Sequence, residues 1–205
     1  MDKYVIDQFW RARSAQGDGR WTNPTLLEFE VDYLSRLVKP NARILDLGSG
    51  SACLSFRLLS DTSTLTAVDK YPDFLAAVPR RSNVSTVCCD VMDFDFGTGY
   101  DLILLFGVVT HLELDQEQIL YRRAATGLAP EGILVVKNQV SRSAEKSFDG
   151  YSENLKCRYV GRYPSLEEQT GRLQDHFSHV HLLPYPDDFN PWPDTRHAAF
   201  ICTQK

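Results

Sequence analysis

The chain has 205 residues, of which 43% are hydrophobic, and a formal net charge of -5. This length and composition predict one well-filled core, and the lack of a lysine- or arginine-rich run argues against a broad nucleic-acid surface. The N-terminal segment MDKYVIDQFW lacks the pattern of a signal peptide, and the longest apolar run, LILLFGVV, is too short to cross a bilayer. We therefore expect a cytoplasmic protein whose partners are neither nucleic acids nor membranes.

The five cysteines, at positions 53, 88, 89, 157 and 202, have no C-x-x-C spacing. Such a pattern is typical of reduced thiols and predicts neither a disulfide framework nor a zinc site. We therefore expect no bound metal.

The N-terminal part of the chain has helical patterns. An amphipathic stretch runs from Tyr4 to Arg13, and the polar, glycine-containing link SAQGDGR follows it. In the next stretch, NPTLLEFEVDYLSRLV, Asn23 and Pro24 occupy the positions of a helix cap and a first helical residue. We predict a helical N-terminal cap.

From Arg43 onward, apolar strands alternate with helical segments. The predicted strands are, in order, RILDLG, TLTAVD, VSTVCCD, DLILLFGVV and ILVVKNQ. The predicted helices among them are ACLSFRLLS, PDFLAAVPRR and LDQEQILYRRAATGL. Continuous apolar strands that alternate with helices predict a doubly wound α/β fold, with a mostly parallel sheet and helices on both faces.

The C-terminal part has a different connection. After a predicted helix, SLEEQTGRLQDHF, only the proline-rich loop PDDFNPWPD separates the strands HVHLLPY and HAAFICTQK. This loop leaves no room for a crossover helix, so we predict that the two strands pair antiparallel. The expected sheet has seven strands, with an antiparallel strand at the C-terminus.

The turn after the first strand, in ILDLGSGSA, is a candidate nucleotide site. Ligands of open α/β sheets bind at the carboxyl ends of the strands where the strand order reverses, which points to Gly48. Gly48 and Gly50 fit the first two glycines of G-x-G-x-x-G, but Cys53 stands at the third position, and the lysine of a P-loop is missing. The turn has instead the form D-x-G-x-G, which begins at Asp46.

This D-x-G-x-G turn resembles motif I of the class I S-adenosylmethionine-dependent methyltransferases. In that family the glycines let the backbone approach the amino-acid end of the cofactor, and the acidic residue, here Asp46, helps to hold that end. The family often has a third glycine where this chain has Ala52, which is also small. A carboxylate can accept two hydrogen bonds from vicinal hydroxyls, so Asp69, at the end of the second strand, fits the cofactor ribose, with Lys70 beside it.

Later segments extend the resemblance. Asp90, at the end of the third strand, matches the family residue that contacts the adenine amino group, and Val91 matches the one that packs on the base. Phe106 ends the fourth strand, where the family lines the methyl-donor pocket. The segment LAPEGILVVK resembles the family's L-x-P-G-G-x-L turn and fifth strand. The resemblance covers roughly Arg43 to Lys137 and implies S-adenosyl-L-methionine as the cofactor.

The flanking segments resemble two subgroups of this family. The segments FWRARSAQGDGRWTN and FNPWPDTRHAAFIC are similar to a bacterial subgroup often encoded with surface-polysaccharide or secondary-metabolite enzymes. The segment HLELDQEQILYRRAATGLAPEGILVVKNQVS is similar to the protein α-N-terminal methyltransferases, whose substrate-loop signature is missing here. Trp10, in the N-terminal amphipathic stretch, is a candidate for a lid over the cofactor, or else simply packs on the domain. The resemblance implies that Thr22 lies near the methionine end.

Two residues are candidates for the chemistry. Methyl transfer from a sulfonium is an in-line displacement, so the enzyme mainly positions the nucleophile and excludes water. A hydroxyl nucleophile also needs a base, and His111, just past the fourth strand, has a suitable ordinary pKa. Capping the following helix and packing under the sheet are its alternative roles. Asn138, at the end of the fifth strand, is a candidate to orient a substrate hydroxyl, or else a turn residue.

Two further groups lie on the expected substrate side. Arg158, Tyr159, Arg162 and Tyr163 offer cations and phenols, and a guanidinium pair suits a phosphate or carboxylate on the substrate. A solvated face is the alternative for this group. We expect His197, before the last strand, near the substrate loop.

We predict a single methyltransferase domain over residues 1–205, with a cap or lid at 1–40, a cofactor-binding core at 41–140 and a substrate-side part at 141–205. Its expected reaction transfers a methyl group from S-adenosyl-L-methionine to a small molecule, at an oxygen of a sugar-like or secondary metabolite. N-methylation of an amine or a protein N-terminus is one alternative. A catalytically silent cofactor-binding protein is the other.

Overall fold

The structure, a computed structural model, describes residues 1–17, 24–190 and 192–204. The described residues form five α-helices and nine strands. In chain order these are α1 (Lys3–Ala15), α2 (Pro24–Ser35), β1 (Arg43–Leu47), β2 (Thr64–Asp69), α3 (Pro72–Ala76), β3 (Val84–Cys88), β4 (Tyr100–Phe106), α4 (Leu114–Gly127), β5 (Leu128–Ser141), β6 (Lys146–Ser152), β7 (Cys157–Tyr163), α5 (Leu166–Gln174), β8 (His179–Pro184) and β9 (Thr195–Thr203). The predicted helix cap Asn23 lies outside the described residues.

Seven strands form one sheet in the order β3-β2-β1-β4-β5-β9-β8. Strands β1 to β5 pair parallel to one another, whereas β9 pairs antiparallel to both β5 and β8. The prediction of a doubly wound, mostly parallel sheet with an antiparallel C-terminal strand is therefore confirmed. The strand order reverses between β1 and β4, so the carboxyl ends of these two strands mark the expected ligand position.

Apolar side chains cover both faces of the sheet. One buried cluster includes Leu120 and Tyr121 of α4 and Leu173 of α5, and the other includes Leu26 and Leu34 of α2. Burying one such leucine stabilises the fold by about 1.5–3 kcal/mol. Helix α1 packs against β7 and α3, at the rim of the sheet. Of the helices described, none combines the length and the apolar character that crossing a membrane requires.

The segment ACLSFRLLS, predicted as a helix, forms only a short 3-10 helix at Ser55–Leu58. The glycine turn continues through Ala52, which has a left-handed φ of 54°, so the first residues of the segment cannot wind into a helix. Leu59 is already extended and ends the 3-10 helix. The prediction was wrong here because the turn is longer than its glycines indicate.

One hairpin was not predicted from the sequence. Strands β6 and β7 pair antiparallel as a separate two-stranded sheet. Most residues of β6 are exposed, so no alternation of apolar and polar residues marks this strand in the sequence. The hairpin brings Tyr159 and Val160 towards the carboxyl end of β4, where they contact His111.

Candidate active site

A cavity of about 330 Å³ opens at the carboxyl ends of the parallel strands, beside α1. The residues that line it follow β1, β2, β3 and β4, with further residues from β5, β7 and α1. The residues predicted to bind the cofactor or take part in the chemistry, where the structure describes them, all line this one cavity: Trp10, Asp46, Gly48, Gly50, Asp69, Lys70, Asp90, Val91, Phe106, His111 and Asn138. Thr22 lies outside the described residues.

The turn after β1 is held open by its backbone conformation. Gly48 and Gly50 have φ values of 69° and 55°, the left-handed region that favours glycine. A methyl group added at Gly48 would also overlap Cγ2 of Val108. Ala52, at the position where the family often has a third glycine, takes the same left-handed conformation with φ of 54°. At Gly48 and Gly50 the turn therefore presents bare backbone to the cavity.

Asp69 ties this turn to the end of β2. Its Oδ2 accepts a hydrogen bond from the Gly50 backbone N–H at 2.8 Å, and its Oδ1 accepts one from Tyr71 N–H at 2.9 Å. Burial raises the pKa of Asp69 above its ordinary value, while these backbone N–H groups act in the opposite direction. Since a carboxylate has about four acceptor positions, Asp69 can still accept hydrogen bonds from a ligand.

Asp46 is buried and has an oriented carboxylate. The Ser55 hydroxyl donates a hydrogen bond to Asp46 Oδ2 at 2.6 Å. Ser55 was not predicted from the sequence, because its partner lies nine positions earlier and only the folded turn brings the two together. Ser55 fixes the direction in which Asp46 can face a ligand.

Helix α1 is attached to the core through Asp7, a residue that the sequence analysis missed. Asp7 accepts hydrogen bonds from Arg11 Nε at 2.6 Å and from the Tyr71 hydroxyl at 3.2 Å, and lies 3.3 Å from Lys70 Nζ. Burial acts to raise the pKa of Asp7, but the hydrogen bonds from Arg11 and Lys70 hold it below its ordinary value. Lys70 Nζ also lies 3.8 Å from Asp90 Oδ2, so Lys70 links the cap to the ends of β2 and β3.

Aromatic rings form one wall of the cavity. The His111 ring packs edge-on against Trp10 and against Tyr159, with both pairs of ring centroids 5.5 Å apart. Phe9 contacts Trp10 and Tyr159, in each case at 5.0 Å between centroids. Trp10 therefore lines the cavity and packs on the domain, whereas its role in a lid over the cofactor stays a prediction.

His111 is held as a neutral imidazole. Because a carbonyl oxygen can only accept, Nδ1 must donate to Val160 O, 3.1 Å away, which leaves the lone pair on Nε2. Burial lowers the pKa of His111 to about 4, although the bond to Val160 acts to raise it. The Tyr159 hydroxyl lies 3.5 Å from Nε2, a loose contact. Helix α4 is capped by Glu113 and Gln116, so a capping role for His111 is wrong.

Asn138 is buried and lies within β5, which continues to Ser141. The alternative of a turn residue is therefore wrong. Its Nδ2 donates a hydrogen bond to Gln169 Oε1 at 3.0 Å. This contact joins the cavity to helix α5.

Residues 44–132 match the family model described as a methyltransferase domain. Over this segment, which is less than half of the chain, the protein is similar to the class I S-adenosylmethionine-dependent methyltransferases. This confirms the resemblance at the level of the family, whereas the two subgroup resemblances stay predictions.

Carboxy-S-adenosyl-L-methionine synthase of Shewanella denitrificans is 29% identical over 120 residues, which cover 53% of this chain and 49% of the relative. The chain thus spans about half the length of the curated relatives it matches.

Two solved methyltransferase-fold structures cover nearly the whole chain. One is 1,6-didemethyltoxoflavin-N1-methyltransferase of Burkholderia thailandensis with bound 1,6-didemethyltoxoflavin and S-adenosylhomocysteine; its TM-score is 0.79 at 20% identity, covering 99% of this chain and 88% of that one. The other is a DhpI complex with S-adenosylhomocysteine, with a TM-score of 0.68 at 20% identity and 100% of both chains covered. At these identities the likeness shows the fold.

The expected guanidinium pair does not face the cavity of this methyltransferase. Arg162 is buried and forms ion pairs with Glu117 and Glu145, and Arg158 is exposed and pairs with Asp149. The pair was wrongly placed because the arginines stand on a hairpin that the sequence did not reveal. Of that group, Tyr159 lines the cavity.

His197 lines the cavity from β9, and its place near the substrate loop stays a prediction. Burial, with the nearby positive charge of Lys137, lowers the pKa of His197 to about 3. Lys137 itself lies 3.6 Å from Glu30 Oε1, which also accepts a hydrogen bond from the Tyr185 hydroxyl at 3.0 Å. The positive charge of Lys137 is therefore offset by a buried carboxylate of α2.

Proposed function

We propose that this chain binds S-adenosyl-L-methionine in the cavity and transfers its methyl group to an oxygen of a small molecule, a sugar-like or secondary metabolite. One observation carries the proposal: a glycine turn with strand-end carboxylates shares its cavity with a neutral imidazole whose Nε2 has a lone pair. In this proposal residues 1–40 cap the site, 41–140 hold the donor and 141–205 shape the acceptor side.

The donor-binding residues fit the shape and charge of S-adenosyl-L-methionine. The bare backbone at Gly48 and Gly50 allows close approach of its amino-acid end, where Asp46 offers a carboxylate to the ammonium group. Asp69 offers acceptor positions to the ribose hydroxyls, and Asp90 offers them to the adenine amino group. When bound, S-adenosyl-L-methionine supplies an electrophilic methyl group on a sulfonium.

His111 supplies the base. Its Nε2 accepts the proton of the acceptor hydroxyl, while the bond from Nδ1 to Val160 O holds the ring in place. A pKa of about 4 keeps the imidazole neutral at ordinary pH but makes it a weak base. The basicity of His111 is therefore better suited to deprotonating an acidic hydroxyl, such as a phenol or enol of a secondary metabolite, than the hydroxyl of a simple sugar.

N-methylation is the second candidate. The Burkholderia structure, which covers 99% of this chain, is named an N1-methyltransferase. A neutral amine already has a free lone pair and needs no base before the transfer, whereas a ring N–H needs one, and His111 would then serve it as it serves a hydroxyl.

The proposal is tested with methyl-labelled S-adenosyl-L-methionine, the purified protein and a panel of phenols, sugars, secondary metabolites, amines and N-terminal peptides. We expect a gain of one methyl group on an oxygen-containing small molecule, read by mass spectrometry and located by NMR. His111→Gln should lower kcat and leave donor binding within about twofold, because the imidazole touches the acceptor side.

Three other outcomes would contradict the proposal. Label on nitrogen would favour the second candidate. When a cell extract supplies a carboxyl-group donor, a carboxylated form of S-adenosyl-L-methionine with no labelled acceptor would favour the activity in the name of the Shewanella relatives. Donor binding without product in any panel or cell extract would favour a silent binding protein.

A further inference from the structure

A network of buried amide and charged side chains extends from the cavity into the space between α4, α5 and β7. It starts at Asn138 on β5 and continues through Gln169 on α5 to Glu117 on α4. All three side chains are at most 1% exposed. Glu117 in turn pairs with Arg162, and Arg172 Nη1 lies 3.7 Å from its Oε2.

The Glu117 carboxylate, at one end of this network, determines which group donates and which accepts in each of its hydrogen bonds. Glu117 faces two guanidinium groups, and as a carboxylate it can only accept. Gln169 must therefore turn its Nε2 towards Glu117, where it donates to Oε1 at 2.9 Å, and it also donates to the Tyr121 hydroxyl at 2.7 Å. The amide oxygen of Gln169 is then left facing Asn138.

The orientation of the Asn138 side-chain amide is fixed as well. Its Nδ2 donates to Gln169 Oε1 at 3.0 Å, and a flipped amide would set two oxygens against each other. Its Oδ1 is consequently an acceptor with a fixed direction. This atom is buried and has no hydrogen-bond partner among the residues that the structure describes, and Asn138 lines the cavity.

We propose that Asn138 Oδ1 accepts a hydrogen bond from an N–H or O–H group of the molecule that is methylated. Gln169 is the positioning residue that holds this oxygen in its orientation. The inference rests on the proposed function and narrows its substrate class to molecules with an N–H or O–H group at that point. A molecule with a carbonyl or a methylated nitrogen there leaves Asn138 Oδ1 buried without a partner, and binding weakens.

The test uses 2-pyridone and 1-methyl-2-pyridone with the protein loaded with S-adenosylhomocysteine. The two compounds share a ring and a carbonyl, and methylation removes the N–H. We expect 2-pyridone to bind about tenfold more tightly, the effect of one hydrogen bond, and to shift the side-chain amide NMR signal of Asn138. Equal affinities, or a 2-pyridone that leaves the Asn138 signal unchanged, would overturn the proposal.

Three variants separate this role from general packing. Asn138→Leu removes the acceptor and should make the affinities of the two pyridones equal. Gln169→Leu frees the Asn138 amide to rotate and should reduce the preference, while S-adenosylhomocysteine binding is kept. The control is Asn83→Leu, since the Asn83 amide donates to Ser63 O at 2.7 Å and does not line the cavity. It should keep the full preference.

The outcomes distinguish the two proposals. If calorimetry shows no binding of S-adenosylhomocysteine, the proposed function fails. If S-adenosylhomocysteine binds and the pyridones bind equally, only the role of Asn138 and Gln169 fails.

Discussion

Lowering the pH from 7 to 5 should destabilise this protein through two cavity histidines. His111 and His197 have folded pKa values of about 4 and about 3, against an ordinary value of 6.5. The unfolded chain therefore binds more protons in this range, so the stabilisation is complete above pH 6.5 and is lost as the pH falls towards the folded values. At pH 5 each histidine has removed about 2 kcal/mol from the free energy of unfolding.

A loss of this size is measurable, because a domain of this kind has only about 5–15 kcal/mol of stability. Urea unfolding at pH 7, 6 and 5 should show a fall to which these two histidines contribute about 4 kcal/mol, without a change in the denaturant slope. Burial also lowers the pKa of His176, which adds to the fall, and raises the pKa of Asp69, which opposes it. The carboxylates whose pKa values lie below their ordinary range, such as Asp7 and Glu168, lose their stabilisation mainly at still lower pH.

Variants assign the effect to its residues. His111→Gln and His197→Gln should each remove about half of the pH-dependent loss. His179→Gln, a substitution on the exposed part of β8, is the matched control. A free energy of unfolding that stays constant between pH 7 and 5, or a His111→Gln protein with the full wild-type loss, would refute the neutral, buried imidazole on which the base assignment depends.

Three further substitutions test the surroundings of the cavity. Gly48→Ala should lower the free energy of unfolding by more than the ~1–2 kcal/mol of left-handed backbone strain, because the added methyl group also overlaps Val108. Gly107→Ala, where φ is 72° and no atom lies near the added methyl group, should show the strain alone in the same urea experiment. Ala52→Gly should change the free energy of unfolding by less than about 1 kcal/mol, because the relief of backbone strain offsets the loss of a buried methyl group and the greater flexibility of the unfolded chain. A larger change in a thermal melt would contradict that balance. Glu117→Gln should cost about 1.5–3 kcal/mol, because the buried Arg162 loses a charged hydrogen bond while Arg162 and Arg172 both keep their ion pairs with Glu145, and a cost under about 1 kcal/mol would show that this ion pair contributes little.

The parts of the site that follow from strand order could be predicted from the sequence. Parallel strands place their carboxyl ends at one edge, so Asp46, Asp69 and Asp90 had to converge once the alternation of strands and helices was recognised. His111 and Asn138 were also placed in the cavity, but the sequence left their roles open. Their roles depend on single contacts, with Val160 O and Gln169 Oε1, that only the folded chain shows.

The parts that were missed depend on packing between distant segments. Asp7 matters because α1 lies against the residues after β2, and Gln169 because α5 lies against β5. Neither position differs in the sequence from an ordinary polar helix residue. The exposed strand β6 carries no apolar alternation, so the hairpin that supplies Tyr159 to the cavity could not be found from periodicity.

Calorimetric titration with S-adenosylhomocysteine, S-adenosyl-L-methionine and NAD tests the central claim most directly. We expect both adenosyl compounds to bind and NAD to give no signal, and we expect Asp69→Ala to weaken the adenosyl compounds by about 1.5–3 kcal/mol, or roughly ten- to 150-fold. Binding of NAD without binding of either adenosyl compound would contradict the assignment of this cavity to the methyl donor.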